Sequence, residues 1–181
     1  MSLTEESRDR VDGWVDEFRE RYEGFDVVED RLELPPDHYE ADRRRIEAGE
    51  NGGAGVWMTD DEGSVLLVRD EGDDGWVDPG GKREAGESFE EAARRETHEE
   101  TGVDCELTGL LAAHVTELVD ETDSERPTLY SLIAIFTGEP VADDPTPRPR
   151  EGEIAAVDWF DTPPGTVGYP AVADRPFPTG E

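Results

Sequence analysis

Cysteine and lysine are almost missing from this 181-residue chain: there is one of each, Cys105 and Lys82. A single cysteine excludes an internal disulfide and a thiolate metal site, and leaves Cys105 as a small hydrophobe expected inside a strand. Long apolar runs are lacking as well. No stretch approaches the roughly 20 apolar residues of a membrane helix, and the N-terminus is charged from Glu5 onward without a secretory apolar segment. The expectation is a soluble cytoplasmic protein. Basic residues are scarce, with 17 Lys and Arg against 48 Asp and Glu, for a formal charge of −31. So acidic a surface cannot release counterions from a phosphate backbone or settle on an anionic lipid layer, which excludes a nucleic acid polymer and a membrane as partners.

The apolar residues that are present, 34% of the chain, arrive in clustered runs such as Val65–Val68 and Leu132–Phe136. Such clustering supplies a core and argues against an acidic disordered chain. The length suits one domain with embellished ends. Acids are scattered over every exposed-looking stretch instead of gathering in one tail, and all bases except Lys82 are arginines. Self-repulsion of this size swells a compact domain in dilute buffer. It is screened where the Debye length falls to about 3 Å, near 1 M salt. The composition therefore looks like that of a protein from a halophilic organism.

Along the chain, Val11, Trp14, Val15, Phe18 and Tyr22 fall at helical spacing, which predicts an amphipathic helix over Thr4–Tyr22. A short strand over Phe25–Leu34 follows, stopped by Pro35-Pro36, with a turn or two of helix in Tyr39–Ala48. Ala54–Met58 and Ser64–Arg69 read as strands joined through Thr59–Gly63 as a hairpin, and Asp70–Gly75 as a polar loop. Asp78-Pro79-Gly80-Gly81 fits no helix or central strand. Ser88 and Glu91 form a capping box and Gly102 a stop, bounding a helix over Ser88–Thr101. Further strands are expected at Val103–Leu107, Leu110–Leu118, Thr128–Thr137 and Ile154–Phe160, with a Pro-rich loop at Asp143–Arg150 and an extended, mobile tail after Asp161. The order implies an α/β or α+β layer with a mixed sheet. We divide the chain as 1–50, a helical extension packed on the body; 51–161, the main domain; and 162–181, a Pro/Gly-rich tail.

The chemistry concentrates in the helix that starts at Ser88. With Glu96 at zero on a helical wheel, Glu99 and Glu100 fall within about 60° of it, because residues three and four apart share a face. Phe89, Ala92 and Ala93 occupy that face in earlier turns, so the three carboxylates are expected to continue an inward line. Three anions so close are costly without a cation. Oxygen donors without cysteine or paired histidine suit Mg²⁺, with Mn²⁺ as the alternative, over Zn²⁺. Glu90 and Glu91 point away and read as solvated surface. His98 lies on another face and reads as a packing or surface residue, while His38 and His114 carry no signal alone. Lys82 is placed to reach a phosphate, and Gly80-Gly81 lets the backbone turn tightly beside the ion. Two other phosphate or metal loops fail. Gly75 to Lys82 is one residue off a Walker A spacing and ends in Arg83, and Gly72 stands where an EF-hand loop starting at Asp70 needs Asp or Asn.

Gly81, Glu87, Arg95-Glu96, Glu99-Glu100, Gly102 and Val103 stand at spacings that resemble the Nudix box, with every fixed position matched. Thr97 departs from it, standing where an apolar residue is usual. The resemblance implies a mixed sheet sandwiched between helices, preceded here by the added N-terminal helix. It implies an enzyme, a pyrophosphohydrolase that cuts a phosphoanhydride bond with a divalent ion. The substrates would be small nucleotides: ADP-ribose, a nucleoside triphosphate or a dinucleoside polyphosphate. It also implies Glu96, Glu99 and Glu100 as metal ligands, Glu96 as a candidate base, and an Arg95–Glu87 pair that holds loop to helix. Gly81 and Lys82 are the substrate-side candidates, and Glu87 and Gly102 are structural within the box. Glu153, with Glu151 second, is expected to complete the site from the opposite wall, making Glu96, Glu153 and Arg95 the catalytic set. Trp57, Trp76 and Tyr130 are candidates to stack on a base, with core packing the competing role. The competing function is a non-catalytic nucleotide-sensing or regulatory module. The oligomeric state stays open, a homodimer included.

Overall fold

We analysed a computed structural model of the chain, which describes residues 1–143 and 145–178. Eleven elements follow one another: α1 (Leu3–Arg21), β1 (Asp26–Leu34), α2 (Pro36–Glu47), β2 (Gly53–Met58), β3 (Val65–Asp70), β4 (Gly80–Lys82), α3 (Phe89–Thr101), β5 (Cys105–Asp120), β6 (Leu129–Pro140), β7 (Ile154–Phe160) and α4 (Pro170–Asp174). Five strands form one mixed sheet in the order β1-β5-β6-β2-β4, and β3 and β7 form a separate antiparallel pair. β1 runs parallel to β5 and β2 parallel to β6, while β5/β6 and β2/β4 are antiparallel. This is a mixed α+β architecture with helices flanking the sheet. Among the described residues no helix is long and apolar enough to cross a membrane.

The period of two along β2 and β6 distributes their side chains between two cores. Val56, Met58, Ala134 and Phe136 meet Val11, Val15 and Phe18 of α1 and Phe89, Ala92 and Ala93 of α3. Trp57 and Ile135 belong to a second core with Val65 and Leu67 of β3. α1 therefore packs directly against the box helix, with Trp14 and Phe18 edge-on to Phe89. Tyr22 and Arg21 also hold Glu90, which is consequently no solvated surface acid but an anchor between the two helices. Val65–Val68 are all buried, which accounts for an unbroken apolar run where a half-exposed strand would alternate.

The structure corrects three further expectations. β2 and β3 are no hairpin: a lone bridge between Thr59 and Val65 links them, and β3 turns away to pair with β7. The two strands expected over 103–118 are one strand, β5, bent by register shifts at Leu107/Gly109 and Leu110/Ala112. Gly80–Lys82 is a short strand on the sheet edge, in keeping with the exclusion of a central strand there.

The last of these corrections concerns the segment after Asp161, whose described part docks on the body. Val172 and Phe177 complete the second core, with Phe177 edge-on to Trp57. Arg175 forms a buried ion pair with Asp78 at 2.8 Å, and the Tyr169 hydroxyl donates to the same carboxylate oxygen. The Pro-rich loop expected over 143–150 and the tail to 181 include Asp144 and residues 179–181, which lie outside the described residues.

Candidate functional site

α3 is nucleated as its sequence dictates. Glu91 N–H donates to the Ser88 hydroxyl at 3.1 Å, and Ser88 N–H donates to the Glu91 carboxylate at 2.8 Å. Gly102 ends the helix at φ +70°, in the left-handed region that favours glycine. Its buried stripe runs Phe89, Ala92, Ala93, Thr97, Glu100 and Thr101. The three acids are thus not equally inward: Glu100 is buried, Glu96 borders the stripe, and Glu99 lies on the margin with its side chain 37% exposed.

Thr97 carries its box departure inside the core. It is fully buried and its hydroxyl has no hydrogen-bond partner. An orphaned buried hydroxyl costs about 1–3 kcal/mol, and valine keeps the branched shape without it. Thr97→Val should stabilise the fold by about 1 kcal/mol, read as a rise in denaturant midpoint at unchanged slope; an unchanged or lower midpoint counts against this account.

Arg95 organises the loop. It grips Glu87 with two nitrogens, at 2.7 and 3.0 Å, and donates to the Lys82 carbonyl at 3.0 Å. Its remaining nitrogen contacts Glu96 at 2.7 Å and Glu99 at 3.3 Å. The hydrogen bond from Arg95 holds the Glu87 carboxyl below the usual carboxylate range. The glycines matter for clearance: a Cβ on Gly81 would lie 2.5 Å from the Glu96 carboxyl carbon, and one on Gly80 would lie 2.6 Å from the Ala54 carbonyl. Lys82 points toward α2, where it pairs with Asp42 at 3.4 Å.

Glu100 is the electrostatic centre. Gly80 N–H donates to it at 3.0 Å, yet burial pushes its carboxyl up to about 8, and the neighbouring charges of Glu96, Asp70 and Glu153 push the same way. Asp70, itself raised by burial and by Asp73 and Glu153, was invisible in the sequence as one acid of a polar loop. The only local signal is its place at the end of β3, where the register with β7 shifts. Glu153 opposes the helix from the turn before β7, and Arg150 lies between Glu153 and Glu99. Glu151 is exposed in the same turn.

The aromatic candidates separate. Trp57 is buried in the second core, whereas Trp76 is half-buried against Phe160 with the Arg69 guanidinium over its ring. Tyr130 is half-buried and reaches Glu117 at 3.3 Å, on β5. His98 sits at the surface with Asp104, and Cys105 is buried on β5, its thiol pushed up to about 11 by that burial.

A model of the NUDIX domain matches residues 50–163. Among solved structures, the chain is similar to a MutT NUDIX hydrolase from Burkholderia pseudomallei, at 27% identity and TM-score 0.51, over 68% of this chain and 94% of that one. It shares a fold with a NUDIX hydrolase from Nitrosomonas europaea, at 20% identity and TM-score 0.52, over 69% of this chain and 66% of that one. A UDP-X diphosphatase matches at 27% identity and TM-score 0.47 over 61% of this chain, which spans only 50% of that protein. With well over half its length matched, and Gly81, Glu87, Arg95 and the three glutamates assembled around one loop and helix, this chain belongs to the NUDIX domain family.

Proposed function

We propose that this chain is a divalent-cation-dependent pyrophosphohydrolase that cuts a phosphoanhydride bond in a nucleoside diphosphate linked to a further moiety. The observation that carries this reading is Glu100, buried against Gly80 N–H and surrounded by the charges of Glu96, Asp70 and Glu153. Such a cluster calls for a strong local cation. The donors fit a hard ion, Mg²⁺ or Mn²⁺, because they are carboxylates while Cys105 and His98 are engaged elsewhere. Among the described residues no three acidic, cysteine or histidine side chains already enclose an ion position, and Arg95 and Arg150 stand between the carboxylates as counter-charges. Glu96, Glu99 and Glu100 would hold the ion.

A divalent ion held by these residues would supply charge neutralisation for phosphate oxygens and polarisation for an attacking water. The chain's own part is positional and basic. Glu153 takes the proton of a water from the wall opposite α3, or Glu96 does so from within the box. Water oxygen bonds to phosphorus as the anhydride P–O bond breaks, and the leaving phosphate carries away the electron pair. Arg95 fixes Glu87 and Glu96, Gly81 gives the Glu96 carboxylate room, and Lys82 swings from Asp42 to a phosphate oxygen. ADP-ribose, a nucleoside triphosphate and a dinucleoside polyphosphate are the candidate substrates. Trp76 and Tyr130, both half-buried, remain the aromatic candidates to meet a base, while Trp57 is buried in the second core.

The test is turnover of a panel of such compounds with Mg²⁺ in molar KCl. Release of phosphate-bearing products supports the enzyme, whereas binding without turnover favours the sensing module. The medium follows from the charge of −31, which supports the reading that the chain is adapted to high salt. Its melting temperature should climb steeply between dilute buffer and 2 M salt; a flat profile removes the halophilic reading and leaves the catalytic one intact.

A further inference from the structure

Arg150 is a cation placed between the two walls of the acidic site. Its Nη1 lies 3.2 Å from Glu99 and 3.0 Å from Glu153. Its main chain is fixed on both sides. Arg150 N–H donates to the Glu100 carbonyl at 3.1 Å, and its own carbonyl accepts from Ile154 at 2.9 Å. One residue pair earlier, Arg148 N–H donates to the Thr101 carbonyl at 2.7 Å, so this turn is sewn onto the C-terminal end of α3. Gly152, at φ +82°, closes the turn that brings Glu153 back toward Arg150.

The same Glu99 oxygen also receives Arg95, but the two guanidiniums are not equivalent. Arg95 is locked by its two-nitrogen grip on Glu87 and its bond to the Lys82 carbonyl. Arg150 is 47% exposed and holds its two carboxylates through a single nitrogen, an arrangement that competes poorly with a dication.

We propose that Arg150 is a positioning residue, a latch that holds Glu153 toward the box helix in the ion-free protein and yields Glu99 when a divalent ion arrives. This rests on the metal reading given above. It has a consequence that an ordinary structural arginine lacks. Removing the latch deletes a competing positive charge beside Glu99, so affinity for the ion rises even as the Glu153 turn loosens.

The experiment compares Mn²⁺ binding by the full chain at constant molar KCl, followed by the paramagnetic resonance of the free ion, in wild type, Arg150→Ala, Arg150→Lys and Glu99→Gln. Amide exchange of residues 150–154 is read on the same samples without the ion. Arg150→Ala should bind Mn²⁺ about threefold to tenfold more tightly, the direction that loss of a nearby like charge dictates, and exchange faster at Glu153 and Ile154. Arg150→Lys should restore both toward wild type. An unchanged or weaker Mn²⁺ affinity in Arg150→Ala overturns the latch. If Glu99→Gln leaves Mn²⁺ binding intact, the ion sits elsewhere, and both the latch and the site reading are overturned.

Discussion

Glu100→Gln should lower turnover by about a thousandfold at fixed Mg²⁺, about 4 kcal/mol in barrier, while the protein folds as well as before or better. The side chain is 7% exposed, accepts from Gly80 N–H, and has its carboxyl pushed up to about 8 by burial and by surrounding anions. A cation bound beside it would offset the cost of a charge there. Glutamine keeps the shape and the acceptor for Gly80 but withdraws the charge that would hold the proposed ion, and burying a neutral amide costs less than burying a carboxylate. Glu99→Gln should cost about a hundredfold, because Glu99 is partly solvated and shares its oxygen with two arginines. Steady-state rates on a verified substrate, with melting curves alongside, decide the matter. Near-wild-type rates for both variants would show that the site assignment is wrong.

The second large effect belongs to Glu153. Glu153→Gln should reduce kcat by about a hundredfold, the size of a lost general base, and Glu151→Gln by no more than a fewfold. The two acids share a turn, but Glu153 is the one tied through Arg150 to Glu99, and its charge acts on both Glu100 and Asp70. A pH–rate profile separates a base from a spectator, since losing a base flattens the acid limb. If neither change exceeds a fewfold, Glu96 becomes the leading base, held in place by Arg95 at 2.7 Å and given room by the missing side chain of Gly81.

What the sequence disclosed was whatever is written locally. The capping box at Ser88 and Glu91, the left-handed stop at Gly102 and the apolar stripe of α1 are short-range codes, and each has its counterpart in the structure. Partners distant in the chain leave no such trace. β3 and β7 read correctly as strands, but nothing in their alternation says that they pair with each other and not with β2. Arg175 looked like a tail residue because its value depends on Asp78, which is remote in sequence and adjacent in space. Glu90 and Asp70 were hidden by abundance. With 48 acids in the chain, an anchoring or site carboxylate cannot be told from a solvating one until its neighbours are known.

The strand pairings also govern how the chain reaches this state. Asp26 meets Ala112, Gly53 meets Ile133, and Val65 meets Phe160, so apart from β5/β6 the longest ladders each close over about half of the chain. Loop entropy opposes each closure before its contacts form, which places such topologies among the slow folders, on the order of milliseconds to seconds. During that interval the apolar run Val65–Val68 and the open flank of β1 are available to neighbouring chains. Asp60, Asp61, Glu62 and Asp70 bracket the first, and Asp26, Glu29, Asp30 and Glu33 line the second. Acids flanking apolar strands in this way match the general pattern by which charged neighbours oppose edge-to-edge pairing.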